Sequence, residues 1–228
     1  GGSVSVLFPL AGILGLLAAA CVTGFPGRIS TPAESNAPHI APQRVPALWA
    51  LFMLIFFLTL GKSSYETFSN IYIKTALGAS NAWIGLLGAM SSLIPVFAFA
   101  FADRVLIRLG NLKTLVFGSI LSALAFLFLA FAPSPIWTLP AVIFNGAGGA
   151  FYLVGLVSLL SQLGHPEQAA TDQMLAQLTL PGLAGMLAQP VSGWVFDKYG
   201  GQSMLLIGFA ISLLSVLLIS IKRDWGSG

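Results

Sequence analysis

Charge is what this sequence has least of. Asp, Glu, Lys and Arg make up 7% of its 228 residues, where an average soluble domain has about 25%. So few charges cannot cover the surface of a water-soluble chain that is 57% hydrophobic. The surrounding solvent is therefore lipid, and the bilayer is the first partner. A net charge of +3, scattered along the chain, is too small to suggest a nucleic-acid-binding surface, and none is expected. The lone cysteine, Cys21, excludes an intrachain disulfide. His39 and His165 stand in separate loops, so no Cys/His cluster offers a metal site and no cofactor is expected. No Gly-rich phosphate loop, nucleophile elbow, zinc motif or catalytic carboxylate pair is present. These absences argue against an enzyme.

Apolar runs are abundant. A hydrocarbon core of about 30 Å takes roughly 20 apolar residues as helix. Seven stretches qualify: 4–22, 46–73, 82–102, 112–132, 136–163, 174–196 and 203–221. The runs are continuous rather than alternating, which excludes a transmembrane β-barrel. The expected fold is all-α, a polytopic bundle of about seven membrane helices with closed backbone hydrogen bonding. The first run resembles a signal peptide but lacks a basic leading region, and many spans follow it. Residues 23–45, rich in Pro, Ser and Ala, read as an exposed linker. The tight turns are "APSP" at 132–135 and "GHPEQ" at 164–168.

Orientation follows from Lys and Arg in the loops. Arg28, Arg44, Arg104, Arg108, Lys113, Lys222 and Arg223 fall on one side, and Lys74 and Lys198 on the other. The first side is expected to be cytoplasmic, the C-terminus with it. Trp49, Trp137 and Trp225 lie where interfacial anchors belong.

Two segments look alike: "DRVLIRLGNLKTLVFGSILSAL" from Asp103 and "DKYGGQSMLLIGFAISLL" from Asp197. An acid–base pair leads to Gly110 or Gly200. Then come Gly118 or Gly208, Ser122 or Ser212, and Leu124 or Leu214. Pro95 or Pro190 precedes each acid. The bland reading is chance likeness between leucine-rich helices. The other is an inverted repeat, since an offset of three spans places the copies on opposite membrane faces, a pattern of secondary transporters.

"GWVFDKYG", with Gly193, Asp197, Lys198 and Gly200, resembles the signature loop of the major facilitator superfamily, G-x-x-x-D-[RK]-x-G. Asp103, Arg104, Arg108, Gly110 and Lys113 give a stretched form, with Phe99 in place of the leading glycine. The resemblance implies that 1–22 is the family's sixth helix, 23–45 its central cytoplasmic linker, 46–222 its C-terminal six-helix half of two inverted three-helix repeats, and 223–228 a tail. The first five helices would precede this stretch as the partnering N-terminal half. It further implies alternating-access transport of a small solute, proton-coupled, in the plasma (inner) membrane. The two motif loops would act as gating latches. A drug/proton antiporter is the alternative to a nutrient symporter. A non-transporting scaffold or receptor-like relative is the reading from another class.

Ionisable residues at a membrane helix centre cost roughly 2.5–3.5 kcal/mol each on insertion scales. Lys62 and Glu66 are the candidates away from loops, and their spacing puts them on one helix face. Either they cap a helix ending near Gly61, or the helix runs on to Ile73 and presents them to a cavity. A helix over 46–61 is only about 24 Å long, whereas 46–73 gives about 42 Å. The resemblance favours the cavity, because helices seven and ten line it in the family. Glu66 would then carry the proton or meet a substrate cation. Lys62 would pair with it or contact an anionic substrate. Tyr65, Asn70, Asn145, Tyr152, Gln173 and Gln177 are the further cavity candidates, with helix-packing amides as the plain alternative. Gly146, Gly148 and Gly149 read as helix-packing positions. Pro181 with Gly182 is expected to kink or loosen its helix.

Overall fold

The computed structural model describes residues 44–164 and 168–221, with side chains for 48–164 and 168–217. All belong to one compact unit, Ile40–Gly228. The expected span at 4–22, most of the linker, the tail, His39, His165 and Trp225 lie outside the described residues.

Every described element is helical. Helix α1 is Arg44–Thr75, α2 Asn81–Leu109, α3 Asn111–Ala130 and α4 Thr138–Leu163. A short helix, α5 (Ala169–Met174), passes through a π-turn at Leu175–Thr179 into α6, Leu180–Ile221. Five described stretches are long and apolar enough to cross a membrane. The last of them, Ala169–Leu217, is too long for one crossing and is broken at Gly200, whose φ of 83° and ψ of 163° are not helical.

Side-chain neighbours show that the chain reverses there. Before the break, Gly185 faces Ser63, Ser64 and Ser192 share a hydrogen bond of 2.6 Å, and Phe196 stacks on Phe68. That stretch runs parallel to α1. After the break, Gly201 meets Tyr72 and Gly208 meets Gly61, so the chain returns antiparallel to α1. The expected spans 174–196 and 203–221 are thus separate passes, and six passes are described in all.

The charged motif residues sit differently from expectation. Asp103, Arg104 and Arg108 were expected in a loop but occupy the last turns of α2, and Asp197 and Lys198 are also helical. The helices outrun their apolar cores because continued i→i−4 bonding satisfies the backbone and the exposed turns can hold charge. Each helix stops where a glycine takes positive φ. Gly110 has φ 81° and ψ 169°, close to the values at Gly200. Side chains rarely adopt such angles. Near the start, α1 begins at Arg44, two residues inside the expected linker.

The likeness noticed in sequence extends to contacts. Helix α4 packs parallel to α2, with Gly146 against Ile94 and Pro95, and Trp83 Nε1 donating to Thr138 Oγ1 at 3.3 Å. It packs antiparallel to α3, where Gly155 meets Leu115 and Gly148 meets Ser122. Helix α1 has the same arrangement of neighbours: 180–199 in parallel and 201–221 antiparallel. A methyl at Gly148 would fall 2.6 Å from Ser122 Oγ, and one at Gly61 would fall 2.5 Å from Ser212 Oγ. Small residues let these backbones approach, because lipid supplies no hydrophobic drive between helices. Gly149 has nothing nearby and takes no part in the packing.

Two apolar cores result. Leu51, Ile55, Leu115, Leu156 and Leu160 fill one end of the bundle. Tyr65, Phe126, Leu129, Met204 and Leu205 belong to the other. Along α1, α3 and α4 alike, the residues between these cores are more polar.

Candidate functional site

Those intermediate residues surround a cavity of about 280 Å³. Helix α1 contributes Leu58, Thr59, Lys62 and Glu66, and α3 contributes Ser119, Ser122 and Phe126. Tyr152 and Leu156 enter from α4, Gln177 from the π-turn, and Pro181 and Ser212 from α6. Lys62 Nζ and Glu66 Oε1 are 3.2 Å apart, with the Lys62 side chain 25% exposed and that of Glu66 55%. The pair stands at the centre of the apolar span Leu48–Thr75 and faces the cavity. It does not cap a helix at Gly61, because α1 continues unbroken to Thr75.

The surrounding hydroxyls differ in their engagement. Ser119 donates to the Leu115 carbonyl at 2.8 Å, the usual back-bond of a helical serine. Ser212 is 2% exposed, and its Oγ has no hydrogen-bond partner. Buried polar atoms are nearly always paired, so an unpartnered one at a cavity wall marks a place for a ligand atom or water.

Gln177 reaches the cavity through the expected loosening at Pro181. Proline lacks an N–H and its ring crowds the carbonyl four residues back, here that of Gln177. The preceding turn widens to a π-turn, a feature common at functional sites.

A second crevice, of about 200 Å³, lies between α1, α2 and α4. Tyr65, Glu66, Ser69, Asn70, Ser91 and Asn145 supply its polar atoms. The buried Oδ1 of Asn145 has no partner. Glu66 lines both spaces, whereas Lys62 lines only the cavity.

The sequence candidates therefore divide. Lys62, Glu66, Tyr152 and Gln177 meet at the cavity. Tyr65, Asn70 and Asn145 meet Glu66 at the crevice. Gln173 lines neither. The cavity serines were not singled out as site residues. Their signal was present only as Ser122 and Ser212 of the repeat, since a serine in a membrane helix usually bonds its own backbone. No motif residue lines the cavity or the crevice, and Gly110 and Gly200 lie at opposite ends of the bundle. Gly110 leads into α3 near the core around Leu115, and Gly200 adjoins Gly201 against Tyr72. Lys198 lies over the rings of Trp194 and Tyr199, at 5.0 and 5.4 Å, and Arg104 over Phe101 at 5.6 Å. Gly193 packs against Phe68.

The profile of the MFS_1 like family matches residues 29–212, most of the chain. The chain belongs to that family, within the major facilitator superfamily. It is an integral membrane protein. It is similar to an uncharacterized MFS-type transporter of Yersinia pestis, 25% identical over 186 residues, covering 80% of this chain and 47% of the relative. The chain thus spans about half the length of that curated relative.

Proposed function

We propose that this chain is the C-terminal half of a secondary transporter that moves a small solute by alternating access and couples it to protons through Glu66. The observation that carries the proposal is the Lys62–Glu66 pair, held at mid-span and facing a cavity. An ion pair there costs desolvation that a purely structural contact does not need. In the proposed protein, residues 1–22 form the sixth helix, 23–43 a cytoplasmic linker, and five further helices close the other wall of the cavity. The excess of Lys and Arg supports a cytoplasmic C-terminus, and the membrane proposed is the plasma (inner) membrane. Asp103, Arg104 and Arg108 at one end, and Asp197 and Lys198 at the other, act as latches that favour one access state.

The test uses the full gene product in proteoliposomes holding a trapped pH dye. A panel of amino acids, sugars, nucleosides, carboxylates and cationic dyes is added outside. At least one solute is expected to drive proton movement, and Glu66→Gln is expected to abolish that movement. Undiminished proton movement in Glu66→Gln overturns the coupling role.

A further inference from the structure

The two spaces that meet at Glu66 are not equivalent. Lys62 faces one of them and Glu66 faces both. Resting on the transporter reading above, we infer that the solute is an organic anion and that Lys62–Glu66 is a two-position switch: a proton reaching Glu66 through the crevice releases Lys62 to bind the anion in the cavity.

Charge balance favours this arrangement. The cavity wall carries one cation and one anion among the described residues, each neutralising the other. An incoming anion takes Lys62 from Glu66 and would leave a lone carboxylate. A proton cancels that charge: an O–H bond forms on Glu66, the Lys62–Glu66 contact breaks, and the site stays neutral with the anion on Lys62. The mirror case is a cationic solute on Glu66. It would strand Lys62, the less exposed partner, whose cavity offers no second carboxylate among the described residues.

The ligands available on each side agree. Around Lys62 stand the hydroxyls of Ser119, Ser122 and Ser212, and the buried Ser212 hydroxyl is an unused donor for an anionic oxygen. In the crevice, a protonated Glu66 needs an acceptor, and the buried Asn145 Oδ1 is an unused one. The other titratable groups at these walls are Tyr65 on α1 and Tyr152 on α4. None comes from α2, α3 or α6 among the described residues. The proton route and the anion site therefore share only Glu66.

The experiment measures ligand-induced thermal stabilisation of the purified full gene product. Its probes are acetate, lactate and benzoate, with benzamide and benzylamine as neutral and cationic counterparts of benzoate. Carboxylates are expected to stabilise the protein, more strongly at lower pH, and the counterparts are not. Lys62→Gln should weaken carboxylate binding by about tenfold or more, as loss of a charged hydrogen bond implies, and Lys62→Arg should retain it. Glu66→Gln should bind carboxylates more tightly than the unmodified protein and lose the pH dependence. Asn145→Leu should move the pH dependence to lower pH and leave binding at low pH intact. Ligand-free melts establish that each variant is folded. Stabilisation by no carboxylate, preference for benzylamine, or weakening by Glu66→Gln to the same degree as by Lys62→Gln would each overturn the switch. Proton coupling in the liposome assay could survive any of these results, so the two proposals fail separately.

Discussion

Gly118 and Gly149 are both glycines in membrane helices, and nothing in their local sequence separates their roles. A methyl on Gly118 would run into the backbone of Tyr152 and Gly148, whereas one on Gly149 meets nothing within 4 Å. Gly118→Ala should therefore push α3 from α4 and destabilise the protein by about 1–3 kcal/mol, the usual cost of overpacking. Gly149→Ala should be neutral or stabilising by up to about 1 kcal/mol, as expected for removing glycine from a helix. Thermal unfolding in detergent separates the two. Lys62 and Glu66 were legible at this level because charge is so scarce that any ionisable pair in an apolar run stands out. Ser212 was not. Its importance depends on a missing partner, which only the surrounding helices reveal.

The α5–α6 entry to the cavity has its own test. Proline at 181 widens one turn, and the extra residue of a π-turn rotates everything before it relative to everything after. That rotation presents Gln177 to the cavity and leaves Gln173 off its wall. In a Cys21→Ser background, Gln177→Cys should react faster with a water-soluble thiol reagent than Gln173→Cys. Adding Pro181→Ala should let the turn relax to α-helix and reduce the reactivity at 177. Equal rates with and without Pro181 would show that the proline does not set this orientation. Sequence reading anticipated a disturbance at Pro181 from the lost N–H. Gln173 and Gln177 are four residues apart, a spacing that shares one face in a regular helix, but the π-turn at Leu175–Thr179 begins between them and breaks that periodicity.

Viewed as a bundle, the chain is organised around two hubs, α1 and α4, each with one parallel and one antiparallel neighbour. Gly110 and Gly200 take nearly the same backbone angles at opposite ends. Ala76 follows α1 at the Tyr72 end, and Leu109 closes α2 at the end where α3 begins. Leu109→Cys should be labelled by an impermeant thiol reagent only from the cytoplasmic side, and Ala76→Cys only from the opposite side. Labelling of both from one side would contradict the antiparallel course and the charge-based orientation together. The glycine spacing made the likeness between the copies visible in sequence. The pairing of Gly61 with Ser212 to match Gly148 with Ser122 was not visible, because it joins residues from opposite ends of the chain.

Length, apolar runs and scarce charge were enough to specify membrane helices and their approximate bounds. Covering so much apolar surface leaves lipid as the only solvent, and lipid leaves helix as the backbone's way to satisfy itself. The motif around Asp197 was enough to indicate the family. Helix ends were less legible: the charged turns of α2 stay helical because hydrogen bonding, not polarity, decides where a helix stops. The cavity was a tertiary matter. Its wall draws on α1, α3, α4, the π-turn and α6, and its polar atoms become a site only because close glycine contacts hold those helices together. Packing also places Glu66 between two spaces and Lys62 beside one, and no spacing along a single helix carries that distinction.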